Sequence, residues 1–115
     1  MRLKSGIWIS ALIRHVQSGG GFATVSARGE ESAGAIFLIV NDYSGTLDLI
    51  APAPQALYES GAVSDRTFET ALSRASGEEV EKRLSSERSF DPDIWIVEIE
   101  GRAGHDLLDG FVGLT

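Results

Sequence analysis

Cysteine is absent from the 115 residues. That excludes disulfides, thiolate metal sites and a cysteine nucleophile. Long hydrophobic runs are missing as well. The apolar run from Ile7 to Val16 is broken by Ser10, Arg14 and His15, and no stretch approaches the roughly 20 residues of a membrane-spanning helix. It also lacks the small-residue cleavage pattern of a signal peptide, so a cytoplasmic protein with no membrane role is expected. Positive charge is scarce. Ten Lys and Arg face seventeen Asp and Glu, for a net charge of −7. Non-specific nucleic-acid binding is therefore disfavoured, because Lys and Arg hold the phosphate backbone. What remains is ordinary: 43% hydrophobic and 23% charged residues describe a globular chain. Its length predicts a single domain over 1–115, able to bury about two thirds of its unfolded surface.

The charge is unevenly placed. Arg2, Lys4, Arg14 and Arg28 precede the first acid, Glu30. A small positive patch is one reading. Simple solvation of the first elements is the favoured one, since no aromatic residues interleave with these cations as in a nucleic-acid surface.

Leu3, Ser5, Ile7 and Ile9 alternate, which predicts a first strand over 3–9. From Ile9 the spacing turns helical, with Ile9, Leu12, Ile13 and Val16 in one stripe. One continuous helix from about Ser5 is the alternative, because Trp8, Leu12 and Val16 are spaced by four. Gly19, Gly20 and Gly21 stop the helix. Strands are predicted at Phe22–Ala27, at the wholly apolar Ala33–Val40, and at Thr46–Ala51 with Asp48 pointing outward. Asn41 to Gly45 supplies the turn between the last two. Arg66–Leu72 reads as strand or helix, and strand is preferred. Ser76-Gly77-Glu78-Glu79 is a capping box that opens a helix. Pairs Glu78/Lys82 and Glu79/Arg83 follow in the favourable order. Pro92 forbids its continuation, and Ile94–Glu100 is a strand. The order is β-α-β-β-β-β-α-β. It predicts an α+β fold: a mostly antiparallel sheet of five to six strands, with two helices on one face.

Three segments carry a resemblance. They are Ile7-Trp8-Ile9 leading to Ile13-Arg14, Ala33-Gly34-Ala35-Ile36-Phe37, and Phe90-Asp91-Pro92-Asp93-Ile94-Trp95-Ile96-Val97-Glu98. Together they resemble a family of small bacterial, mainly alphaproteobacterial, proteins classed as a domain of unknown function. The resemblance spans Leu3 to about Asp106. It implies no activity, substrate or cofactor.

No motif assigns chemistry. Asp91, Asp93, Glu98 and Glu100 place four carboxylates within ten residues, but the two pairs stand some 15–20 Å apart along a strand. The aspartates flank Pro92, where such residues shape turns. No metal site and no cofactor are expected. His15 and His105 lack a ligand or catalytic partner at recognisable spacing. A set of His105, Asp106 and a serine lacks the strained turn that exposes a nucleophile. Gly19–Gly21 follow a helix, whereas phosphate loops precede one.

Two classes of function stay open. The first is a non-enzymatic interaction or accessory domain, whose open sheet edge pairs as a homodimer or accepts a partner strand. The second is a small-ligand domain or modest enzyme with a pocket between the sheet and residues 52–65. Arg14 would be its anion contact, with Trp8, Asp91 and Asp93 as further candidates. Against these, Arg14 can cap a helix, and Trp8 and Trp95 have apolar neighbours at core spacing.

Overall fold

The first helix begins where the strand and helix patterns compete. In the computed structural model, which describes residues 3–54 and 66–114, α1 runs over Ser5–Ser18. It buries Trp8, Ile9, Leu12 and Val16 and leaves Leu3 and Ile7 exposed. The predicted strand over 3–9 is therefore absent, and the continuous helix takes its place. A four-residue stripe can bury a whole helix face, whereas alternation over seven residues has no neighbouring strand to pair with. Amides of Gly19, Gly20 and Gly21 close the helix on carbonyls of His15, Val16 and Gln17.

Then come β1 (Phe22–Ala27), β2 (Ile36–Asn41), β3 (Leu47–Pro52), β4 (Thr67–Ala75), α2 (Gly77–Phe90) and β5 (Trp95–Glu100). A 3₁₀ helix, Gly104–Leu108, and a two-residue strand, β6 (Gly113–Leu114), complete the order. The stretch predicted over 66–72 is strand, as preferred, from Thr67 and on to Ala75, and the 41–45 turn forms as expected, with Gly45 at φ 101°.

The sheet order is β1-β5-β2-β3-β4-β6. It is mixed, not mostly antiparallel. The β1/β5, β2/β3 and β3/β4 pairs are antiparallel, while β2/β5 and β4/β6 are parallel. The β2–β3 hairpin forms as predicted. The departure is β5, which α2 carries across the sheet to insert between β1 and β2. Its composition suits that central place: Trp95, Val97 and Ile99 enter one core cluster, and Ile94 and Ile96 the other.

The helices accordingly lie on opposite faces, not on one. Trp8, Leu12 and Val16 of α1 share a cluster with Ile36, Leu38, Val97 and Ile99. Val80 and Leu84 of α2 pack with Phe37, Leu49 and Ile96 on the other side. Phe90, the last residue of α2, is 87% exposed.

The capping box forms as read. Ser76 Oγ accepts from the Glu79 amide at 3.1 Å, and Glu79 Oε1 accepts from the Ser76 amide at 3.0 Å. With Glu79 so engaged, Arg83 pairs instead with Glu87, at 2.9 Å. Ser76→Ala should lower stability by about 1 kcal/mol, within the usual 0.5–2 for a lost cap. Urea unfolding followed by far-ultraviolet circular dichroism reads this directly; an unchanged midpoint would show the cap to be dispensable.

Candidate functional site

Three elements converge beside the β2–β3 turn. Asp48 stands alone as a charge within β3, opposite Val40 of β2. The β3/β4 register runs from Leu47↔Ala75 to Leu49↔Leu72. Asp48 therefore faces two residues, Ser73 and Arg74, in a bulge. Arg74 takes a left-handed backbone, with φ 53°. Its amide donates to Asp48 Oδ1 at 2.8 Å. The other carboxylate oxygen, Oδ2, lies 2.5 Å from His105 Nε2, on the 3₁₀ helix. A carboxylate only accepts, so Nε2 carries the proton. One carboxylate thus ties β3, the β4 bulge and the 3₁₀ helix together. The expectation that Asp48 simply points outward is corrected. The 3₁₀ helix, anchored by buried Leu107 and Leu108, covers that position.

The turn adds a second carboxylate. Asn41 Oδ1 accepts from the Tyr43 amide and Asp42 Oδ1 from the Ser44 amide, each at 3.0 Å. These bonds hold Tyr43 at φ 64°. Hydrogen bonding from Ser44, through its hydroxyl and then its amide, keeps Asp42 below the usual carboxylate range, and the charge of His105 adds to this. Left-handed non-glycine residues cost of order 1–3 kcal/mol each and cluster where function over-determines the backbone. Tyr43 and Arg74 are the two among the described residues, and both adjoin this place.

The result is a cleft of about 480 Å³. Asp42, Asp48, Arg74 and His105 line it, together with the hydroxyl side chains Ser44, Thr46 and Ser73 and with Val40. Its chemistry is hydrogen bonding with both signs of charge present. Ser44 Oγ lies 3.3 Å from Thr46 Oγ1, and among the described residues His105 makes no hydrogen bond to a serine or threonine hydroxyl. A nucleophile–histidine pair is thus not assembled. Among the described residues, no group of three or more His, Asp or Glu could hold a metal ion.

The residues singled out from the sequence lie elsewhere. Trp8 is 9% exposed, packed between Phe68 and Phe111 at ring distances of 5.4 and 5.1 Å. Arg14 is exposed on α1. Asp91 caps the end of α2, and its Oδ1 accepts from the Asp93 amide at 3.0 Å. Asp93 accepts through its carbonyl from Glu30 N. None of the four lines the cleft. The pocket expected beneath residues 52–65 falls largely outside the described residues, at 55–65. Sequence reasoning missed Asp48 and Arg74. The available signal was a lone carboxylate in the apolar stretch Thr46–Ala51, and its histidine partner is 57 residues away.

Residues 3–109 match the family described as "Protein of unknown function (DUF1491)". No curated protein is significantly similar to the chain. A protein of Agrobacterium tumefaciens, solved in solution, is 47% identical over 87% of this chain and 86% of its own, with a TM-score of 0.77. The crystal structure of a DUF1491 family protein from Caulobacter crescentus is 33% identical, covers 97% of this chain and 98% of that one, and has a TM-score of 0.78. Both organisms are alphaproteobacteria. With its match along nearly the whole length and its shared fold, the chain belongs to the DUF1491 family, whose function is unknown.

Proposed function

We propose that the chain is a cytoplasmic, non-enzymatic accessory domain that binds a small polar metabolite in the Asp42–His105 cleft. The observation that carries this reading is the Asp48 carboxylate, which fixes a strained bulge and a histidine at once. Concave sites with a few converging polar groups are where small ligands bind. The lining favours a zwitterion over a simple anion. Asp42 is ionised and accepts an ammonium group or hydroxyl; Arg74 supplies the opposite charge; Ser44, Thr46 and Ser73 donate and accept. An anion would meet two carboxylates.

Isotope-edited NMR titration tests this, with free amino acids, amino sugars and inorganic phosphate as separate probes. A zwitterionic probe should shift the amides of Ser44, Arg74 and His105 together. At 100 times its dissociation constant it should also add about 2.7 kcal/mol to stability. Asp42→Asn should weaken that binding. Shifts with phosphate alone would replace the zwitterion by an anion, and silence from every probe would sink the reading.

A further inference from the structure

Among the described residues, the α2 face of the sheet is covered at one end only. Val80 and Leu84 of α2 sit with Ala51, Ala75, Phe37 and Ile96, and Leu84 and Arg88 border Ala27, at the end of β1 away from Phe22. At the other end, the register places Phe22 beside Glu100 and Thr24 beside Glu98 on that same face. Phe22 is 65% exposed. β1 is the edge strand of the sheet, and its bulge between Val25 and Ala27 leaves Phe22–Val25 as the regular stretch. Among the described residues, neither Glu98 nor Glu100 has a cationic partner. Burial pushes Glu98 above the ordinary carboxylate range, and the charge of Glu100 adds to it.

We propose that Phe22–Val25 and the uncovered end of the sheet bind an extended basic segment of a partner protein, added as a further strand beside β1. An edge strand offers backbone groups for such pairing, and alternate side chains then set specificity. Side chains of the added strand on this face lie next to Phe22 and Thr24. Glu98 and Glu100 are two strand spacings away, about 10 Å, which a lysine or arginine side chain and a glutamate span between them. Charge selects the occupant. In an antiparallel β1–β1 pairing of two copies, the same faces adjoin, so four carboxylates would gather on one surface of a chain whose net charge is already −7. A basic segment instead supplies the missing cations. This surface is separate from the cleft, so each proposal can fail alone.

The test is NMR titration of the full chain with two octapeptides, one alternating Lys and Val, the other Glu and Val. The basic peptide should shift the amides of Phe22–Val25, Glu98 and Glu100 and leave those of Ser44 and His105 unmoved. Its binding should weaken with salt, and roughly tenfold in the Glu98→Gln/Glu100→Gln variant. Equal binding of both peptides, or shifts elsewhere on the molecule, would overturn the proposal. So would concentration-dependent self-association of the chain alone that broadens the Phe22–Val25 amides, which would assign the edge to a second copy.

Discussion

Trp95→Ala should destabilise the protein by about 3–5 kcal/mol, the range for large aromatic truncations in cores. Trp95 is 2% exposed at the start of the central strand β5. Its ring belongs to the α1-side core with Leu12, Ile36 and Phe68. Its Nε1 donates to the Glu30 carbonyl at 2.8 Å, and Arg28 lies over the ring at 5.1 Å. Truncation leaves a cavity and removes one of the two bonds to the Glu30 carbonyl, which keeps the Gly34 amide at 3.1 Å. At an m of about 1.5 kcal/mol/M the urea midpoint should fall by roughly 2–3 M. That is a large share of the 5–15 kcal/mol typical of a domain, so aggregation of the variant would fit as well. Trp95→Phe keeps the chain measurable: it retains most of the packing and loses the hydrogen bond, at a cost of about 0.5–1.5 kcal/mol. If Trp95→Ala unfolds at the wild-type midpoint, the ring is not structural and its segment serves recognition.

That residue also shows what local pattern conveys. Alternation from Ile94 to Glu100 predicts a strand with one wholly apolar face and a second that ends charged; Ile94 and Ile96 are buried while Glu98 and Glu100 are partly exposed. The Ser76/Glu79 box and the Asn41–Gly45 turn are likewise local, because their partners are two or three residues apart. Which strand lies beside which is not local. The short connection between Asn41 and Leu47 identifies β2 and β3 as neighbours. Nothing in the residues of β5 states that it inserts between β1 and β2, and that insertion makes the sheet mixed and puts the helices on opposite faces.

The cleft was less legible than the fold for the same reason. In a strand, Asp48 alternates away from Leu47 and Leu49 and so reads as a solvated charge. Only the packing of Leu107 and Leu108 brings His105 over it. His105 was visible as one of two histidines, but a histidine acquires a role from its partner, and this partner is a strand residue far back in the chain. Arg74 carries no sequence mark of a left-handed backbone, since glycine or asparagine would ordinarily stand there. Its conformation follows from the bulge and the Asp48 carboxylate.

Gly29→Ala should cost about 2–3 kcal/mol, although it adds one methyl group to a loop. A Cβ at Gly29 would lie 2.2 Å from the Asp93 carbonyl oxygen and 2.6 Å from the Ile94 carbonyl carbon. Both obstacles are main chain, so no side chain can swing aside. The loop would have to lift by about 1 Å, in a packed region where overfilling costs roughly 1–3 kcal/mol. Lifting it strains the bonds that make the approach close: Glu30 N to the Asp93 carbonyl at 2.9 Å and Trp95 Nε1 to the Glu30 carbonyl. Each contributes about 1 kcal/mol. The same loop receives the start of α1, through Ser5 N to Ser32 O and Ser5 Oγ to Gly34 O, so the loss should appear in hydrogen exchange of the first turn of α1. Gly77→Ala is the control. A Cβ there meets nothing within 4 Å, at the first residue of α2, and alanine should be neutral or stabilise by up to about 1 kcal/mol. Equal midpoints for the two variants would mean that the 28–34 loop yields freely and does not clamp β5 to α1.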